Sequence, residues 1–334
     1  MGRLSCYNFG VKEYKKPYLT IEQQIAKLHG RGLVVSNHDA AFHALKNIGY
    51  YRLSGYWYPM RKSQIVSDGA GSTNIQVLDD FRDGSDFENL IALYVYDKRL
   101  RTHLLDLLER LEIALRANIT LQMGQYSPWA YRQAEFLNQK FVKDIPTGKK
   151  ESSFDTFVKR FDEMVDKSKS EFVEHFKSEY STPLPIWAAV ELWDFGMLSK
   201  FYSGLKYKDQ IAIASIYNLQ KRPEILTSWI RTLADIRNIC AHHGRLWNRA
   251  IASQPRSPVA GENPILDHLI PDTVREKLYG SIAIARYMQT IVTPDSTWGS
   301  KLIDLNKTFP SAPGINFSSS GYPDGWENFD LWRI

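Results

Sequence analysis

The chain has 334 residues, 43% of them hydrophobic and 24% charged, with a formal net charge of +5. This composition is ordinary for a soluble globular protein with a sizeable core, and the mild positive charge fits a nucleic-acid partner without requiring one. Cys6 and Cys240 lie far apart and outside any CxxC pattern, which excludes a disulfide framework and a cysteine zinc site. The separated cysteines suit a reducing cytoplasm, and no window of about 18 apolar residues predicts a membrane span.

The first 62 residues predict a small helical unit. Thr20 opens one helix with a capping box, and a second helix is predicted near residues 37–48. An aromatic cluster at residues 50–59 ends the unit. Residues 63–85 are dense in Ser, Asp, Gly and Asn and predict a loop that links this unit to the next.

Residues 86–293 predict a domain of helices alone. Leucines recur at steps of three and four through residues 100–115, which indicates one long amphipathic helix. Further helices are predicted over residues 154–176, from Pro185, over 224–249 and over 273–292. Residues 294–334, rich in Gly, Ser, Pro and aromatics, predict an irregular tail that docks on the body. The predicted fold class is therefore all-α.

Residues 237–243, Arg-Asn-Ile-Cys-Ala-His-His, carry the strongest chemical signal. Arginine binds phosphate through a planar fork of donors, and histidine moves protons near neutral pH. RNA supplies its own nucleophile, the 2′-hydroxyl. Arg237, Asn238, His242 and His243 are therefore the candidate catalytic residues of a ribonuclease that needs no metal and no cofactor. Walker, GxGxxG, GxSxG and HExxH motifs are absent from the sequence.

The helical spacing leaves two questions open at this site. His242 and His243 both suit the role, and we favour His242 because it shares a helix face with Asn238. Arg237 lies about 140° round the helix from His242 at roughly 100° per residue, which suggests that a second subunit completes the site. The alternative interpretation is a helix C-terminus at which Arg and His merely favour the helix dipole.

Basic and aromatic residues supply candidate RNA contacts. Residues 228–256 hold five arginines against one acid, and Arg231, Arg245 and Arg249 are candidates for flanking phosphates. In the aromatic cluster, Tyr51, Arg52 and Trp57 suit base stacking on single-stranded RNA, although core packing explains the same cluster at least as well. Glu112 and Arg116 form an i,i+4 pair, and a carboxylate such as Glu112 or Glu191 could orient Arg237.

Several motifs resemble the Abi-like family of bacterial abortive-infection proteins. They are Lys16–Thr20, Arg31-Gly32-Leu33, Ile48–Trp57, Pro185-Ile186-Trp187, Phe195-Gly196 and Arg237–Arg249, within residues 12–292. The resemblance extends to HEPN-fold helical bundles, in which an R-x4-6-H motif is a ribonuclease centre. It implies that Arg237 and His242 hold the motif positions, that two chains pair as a homodimer, and that a small structured RNA restrains the protein.

The sequence thus predicts a metal-independent endoribonuclease that acts as a toxin-like effector in anti-phage abortive infection. Its fold is expected to be a HEPN-like bundle, preceded by the small helical unit and followed by the aromatic tail. A non-catalytic RNA-binding module and an interaction scaffold of a toxin–antitoxin system are the alternatives.

Overall fold

The computed structural model describes residues 13, 16–67 and 73–333 of the chain. The protein is mostly helical, and the described residues also contain a two-stranded sheet, so the all-α prediction is wrong in this one respect. The chain divides into two units. The first takes the residues up to Tyr94 together with Pro310–Ile315, and the second takes Val95–Phe309 and the residues from Asn316 onward.

Three short helices open the first unit: α1 (Ile21–Gly30), α2 (His38–Asn47) and α3 (Tyr50–Trp57). The predicted capping box is confirmed, since the Thr20 side chain accepts from the Gln23 N–H and the Gln23 side chain accepts from the Thr20 N–H. The Asn37 side chain caps α2 by accepting from the Ala40 N–H at 2.9 Å. Leu28 and Leu53 are fully buried beneath these helices.

The prediction of a loop over residues 63–85 is wrong, because most of these residues lie in two paired β-strands. Strands β1 (Arg61–Ser67) and β2 (Thr73–Phe81) run antiparallel, with Ile65 opposite Ile75. Both strands expose most of their side chains, so no buried face imposes an apolar alternation on the sequence. Main-chain hydrogen bonds hold the two strands together, and amino-acid composition does not predict such bonds.

Helix α4 (Phe87–Gly124) is the long helix that the leucine spacing predicts, and it is longer at both ends. The predicted leucines are all buried: Leu100, Leu104, Leu107, Leu111 and Leu115. From Val95 onward the helix belongs to the second unit, where it supplies a long apolar face for the other helices to pack on.

Six shorter helices follow: α5 (Gln139–Lys143), α6 (Ser153–Lys167), α7 (Glu171–Glu179), α8 (Ile186–Ala189), α9 (Phe195–Gly204) and α10 (Tyr207–Ile216). Two predicted helices are each interrupted here. Ser168 and Ser170 separate α6 from α7, and their hydroxyls hydrogen-bond each other at 2.8 Å. Asp194 starts α9 by accepting from the Met197 N–H at 2.7 Å.

The last helices are α11 (Pro223–Ala241), α12 (Asp272–Arg275), α13 (Leu278–Val292), α14 (Trp298–Asn306) and α15 (Asp330–Arg333). Two of them lie in the tail that was predicted to be irregular. Trp326 and Trp332 of this tail are buried, and the Trp332 indole N–H donates to the Tyr279 hydroxyl of α13 at 3.1 Å. Aromatic burial therefore fixes much of the tail onto the second unit.

Candidate active site at the end of helix α11

Helix α11 presents the Arg-Asn-His motif at its C-terminal end. Pro223 starts the helix, and its apolar face, which includes Trp229 and Leu233, is buried against α9 and α13. The helix ends at Ala241, so the predicted continuation to residue 249 is wrong.

A Schellman turn ends the helix. His242 is the C-cap, the His243 N–H donates to the Cys240 carbonyl at 3.1 Å, and the Gly244 N–H donates to the Ile239 carbonyl at 2.8 Å. His243 takes the left-handed conformation, with φ of 57°. Glycine usually fills this position, and a side chain there costs about 1–2 kcal/mol. The turn thus holds an imidazole at a strained position, where both His242 and His243 are exposed.

A buried carboxylate of α4 anchors Arg237. Arg237 Nε lies 3.5 Å from Glu112 Oε2, and Glu112 is only 7% exposed. The other Glu112 oxygen accepts from Arg116 Nη2 at 2.7 Å, and Arg116 also donates to Glu191 Oε2 at 3.3 Å and to the Trp193 carbonyl at 2.7 Å. The Glu112–Arg116 pair is thus confirmed, and Glu112 is the carboxylate that pairs with Arg237, whereas Glu191 contacts Arg116 instead.

The charge balance around Glu112 explains why two guanidinium groups face it. Burial raises the pKa of Glu112, while the positive charges of Arg116 and Arg237 act in the opposite direction. A third of the Arg237 side chain stays exposed. Arg237 therefore pairs with a buried carboxylate while part of its side chain stays open to solvent.

A buried ion pair of α4, which sequence reasoning missed, holds the chain just after the histidines. Asp97 is 0% exposed, pairs with Arg101, and accepts the Leu246 N–H at 3.2 Å and the Trp247 N–H at 2.8 Å. Arg101 also donates to the Gly244 carbonyl at 3.4 Å. The available signal was an Asp and an Arg four residues apart within an otherwise apolar helix face.

A family model described as Abi-like protein matches residues 43–248. The chain belongs to the Abi-like protein family. The matched range contains Asp97, Glu112 and the Arg-Asn-His motif, and it confirms the resemblance that the sequence motifs indicate. No curated protein and no solved structure matches the chain. Family membership suggests a role in abortive infection defence.

The predicted phosphate contacts of this Abi-like protein do not all lie together. Asn238 and Arg249 are exposed, Arg245 is half-buried, and the Arg249 guanidinium lies beside Gly244 at the turn. Arg231 precedes Arg237 by six residues and so lies about 9 Å away along the helix axis. It lines a cavity of about 560 Å³ that does not include the motif. Arg245 and Arg249 thus remain with the motif, and Arg231 does not.

The three predicted RNA contacts in the aromatic cluster belong to the first unit of the Abi-like protein. Tyr51 is 92% exposed, and Arg52 is exposed on the same helix, α3. Trp57 is only 4% exposed and packs edge-on against Tyr50 at 4.8 Å between ring centroids. A base cannot stack on a buried ring, so the assignment of Trp57 as an RNA contact is wrong and core packing explains it.

The described residues of the Abi-like protein contain no group of three or more His, Cys, Asp or Glu side chains placed to hold a metal ion. Within that same part of the chain, no helix is long and apolar enough to cross a membrane. Cys240 is a free, buried thiol on α11, and burial raises its pKa to about 12. Cys6 lies outside the described residues.

Proposed function

We propose that this Abi-like protein is a metal-independent endoribonuclease of the HEPN type, acting as a toxin-like effector in abortive infection. The observation that carries the proposal is the end of α11. There a guanidinium held by buried Glu112 lies on the same short segment as two exposed imidazoles in a strained turn. Phosphate binding and proton transfer are the two functions that RNA transesterification needs from a protein.

In the proposed mechanism, Arg237 binds the scissile phosphate and stabilises the charge that develops on it. Glu112 is the proposed positioning residue, because its carboxylate pairs with Arg237 Nε at 3.5 Å and the Nη donors then serve the phosphate oxygens. A histidine removes the 2′-hydroxyl proton or protonates the leaving 5′-oxygen, and Asn238 orients the reacting groups. Cleavage leaves a 2′,3′-cyclic phosphate on one fragment and a 5′-hydroxyl on the other.

The choice between the two histidines rests on different arguments. His242 keeps the spacing of four from Asn238, which the sequence favours, and it occupies the C-cap position. His243 occupies the left-handed position, where a side chain is destabilising, and strain of this kind often marks a functional residue. We assign His242 as the catalytic acid or base and His243 as its neighbour at the phosphate. Exchange of the two roles is an outcome of the test.

A homodimer would complete the site by bringing two motifs together. Ile113, Ala117 and Leu121 are spaced four apart on α4, all three are exposed, and Ile113 directly follows Glu112. An exposed apolar stripe beside the site suits a second copy of the chain. Light scattering of Ile113→Lys should then show a monomer. Ile145→Lys, at a similarly exposed isoleucine, should not change the mass.

RNA is the proposed substrate, with Arg245 and Arg249 holding flanking phosphates. A small structured RNA that restrains the enzyme is the proposed regulator, as the family resemblance implies. Phosphate contacts are salt-sensitive, so binding should weaken steeply as salt is raised. RNA that co-purifies with the protein and is released by high salt would support a regulatory partner.

The test is incubation of purified protein with mixed single-stranded RNA in EDTA. The parent should give fragments ending in 2′,3′-cyclic phosphate, and RNA with 2′-O-methyl groups should stay intact because its nucleophile is blocked. Arg237→Ala and His242→Ala should lose about 10²–10⁴-fold in rate. His175→Ala, at an exposed histidine of the same unit, is the matched control and should cleave normally.

Each other result selects a different conclusion. Cleavage that EDTA abolishes would overturn the metal-free mechanism. Normal cleavage by His242→Ala with loss in His243→Ala would exchange their roles. RNA affinity without products, after any co-purifying RNA is removed, would favour a non-catalytic RNA-binding module. Neither affinity nor products would favour a scaffold.

A further inference from the structure

The first unit contains a cavity of about 410 Å³ that the proposed ribonuclease site does not use. Its walls come from the extended segment before α1, from α1 and α3, from the start of β1 and from the region near the end of β2. Its volume falls within the range of small-ligand sites in proteins. The motifs around Lys16, Arg31 and Tyr50, which the ribonuclease proposal leaves unexplained, meet at this cavity.

Positive charge dominates the lining. Lys16, Lys27, Arg31 and Arg61 line the cavity against a single carboxylate, Asp79. Lys27, Arg31 and Arg61 are half-buried rather than fully solvated. Four cations against one anion leave a net charge of +3, which is unfavourable at a partly desolvated site unless an anion is bound there.

Asp79 does not satisfy the two arginines that contact it. Arg31 Nη2 lies 2.7 Å from one Asp79 oxygen, and Arg61 Nη2 pairs with the other. Asp79 is itself 63% exposed, so its carboxylate lies at the mouth. Arg61 Nε is buried and has no hydrogen-bond partner among residues 13, 16–67 and 73–333. Asp79 contacts only the Nη2 atom of each arginine, so the Nη1 donors remain for an anion with more oxygens than one carboxylate.

Aromatic rings line the same cavity. Tyr51 is 92% exposed and Tyr58 is 51% exposed, while Tyr50 is half-buried against Trp57. The Arg61 guanidinium lies over the Tyr58 ring at 5.5 Å from its centroid. Exposed tyrosine rings next to cations suit a flat heteroaromatic ring attached to a phosphate.

The walls are tied together by main-chain hydrogen bonds, so the cavity exists before any ligand arrives. The Phe81 N–H donates to the Arg31 carbonyl at 2.8 Å, which fixes the end of α1 to the end of β2. Gln24 Nε2 donates to the Leu19 carbonyl at 2.9 Å and holds the extended segment against α1. A preformed site loses less entropy on binding.

We propose that this cavity binds a nucleoside 5′-monophosphate unit, with the phosphate on Lys27, Arg31 and Arg61 and the base on the exposed tyrosine rings. A phosphate monoester carries about −1.5 to −2 charge at pH 7, which offsets most of the net +3. The unit is supplied either by a free nucleotide or by one unpaired nucleotide of an RNA, because both present the same phosphate and base.

The test measures binding to full-length protein that carries Arg237→Ala and His242→Ala, so that RNA stays intact. The probes are adenosine 5′-monophosphate, adenosine, inorganic phosphate and a ten-nucleotide single-stranded RNA, in calorimetry and fluorescence anisotropy. Lys27→Gln removes a cavity cation near the end of α1. Lys46→Gln removes an exposed lysine near the end of α2 and is the matched control.

Adenosine monophosphate should bind more tightly than adenosine or phosphate alone. Lys27→Gln should weaken it about tenfold to a hundredfold, since a hydrogen bond to a charged group is lost, whereas Lys46→Gln should leave it unchanged. If only the RNA responds to Lys27→Gln, an RNA nucleotide is the ligand. If inorganic phosphate binds as tightly as adenosine monophosphate, the assignment of a nucleotide ligand is overturned. The same holds if Lys27→Gln and Lys46→Gln have equal affinities for every probe. Melting curves of both variants exclude unfolding as the cause.

Discussion

The buried Asp97–Arg101 pair yields a prediction with a worked magnitude. Asp97→Ala removes a carboxylate that is 0% exposed and leaves Arg101, 5% exposed, without the counter-ion that faces it. Breaking a buried pair in this way costs about 3–5 kcal/mol. The loss also takes the acceptor from the Leu246 and Trp247 N–H groups, which lie 3.2 and 2.8 Å from Asp97 Oδ1.

The same helix offers a control with the same chemistry. Asp106 pairs with Arg110 at 3.2 Å, also four residues apart on α4, but these side chains are 53% and 45% exposed. An exposed pair of this kind contributes about 0–1 kcal/mol. Asp106→Ala should therefore lower the unfolding free energy by about 1 kcal/mol at most. The two variants remove the same kind of ion pair, and the chief difference between the pairs is that only the Asp97–Arg101 pair is buried.

Urea unfolding followed by circular dichroism at 222 nm measures both variants. Asp97→Ala should also reduce the proposed RNA cleavage by more than its unfolded fraction explains, because Asp97 holds Leu246 and Trp247 shortly after the two histidines. If the unfolding free energies of the two variants differ by less than about 1 kcal/mol, Asp97 does not anchor this segment.

Three further predictions concern the same region. His243→Gly should stabilise the protein by up to about 1 kcal/mol, since relief of the left-handed strain exceeds the entropy cost of glycine, while cleavage falls; a lower urea midpoint would contradict this. Burial raises the pKa of Glu112, so the parent loses stability as pH rises through that pKa. Glu112→Gln should therefore be more destabilising at pH 4 than at pH 8, and equal losses in urea titrations at both pH values would refute the assignment. The buried thiol of Cys240, with its pKa raised to about 12, should resist iodoacetamide in a Cys6→Ser background until urea unfolds the chain, and rapid labelling of folded protein would show that the helix end opens.

Much of the helical framework could be predicted because it depends on local periodicity. The leucine spacing of α4 and the capping box at Thr20 are each visible in the sequence, and each is present in the structure. The hairpin could not be predicted in this way. Ile65 and Ile75 are 76% and 75% exposed, so pairing between strands, rather than burial of one face, decides their conformation.

Helix ends were the least predictable part of the site. Gly244 is a local signal for a stop near residue 242, and it supports the alternative interpretation of this stretch as a helix C-terminus. The helix stops because His243 adopts the left-handed conformation. In addition, the N–H groups of Leu246 and Trp247 donate to Asp97 and so cannot form helical hydrogen bonds. Asp97 is about 150 residues earlier in the chain, so only the folded structure brings it to this turn.

The sequence by itself determined the types of residue available for chemistry: an arginine, an asparagine and two histidines within one short segment. It also determined the family and most of the helices, because both are written in local spacing. Tertiary structure decided which carboxylate holds Arg237, which histidine is strained, and that Trp57 is buried. The carboxylate partner of Arg237 depends on a contact between residues far apart in the chain, and packing selects such contacts through burial and charge pairing rather than through any local pattern.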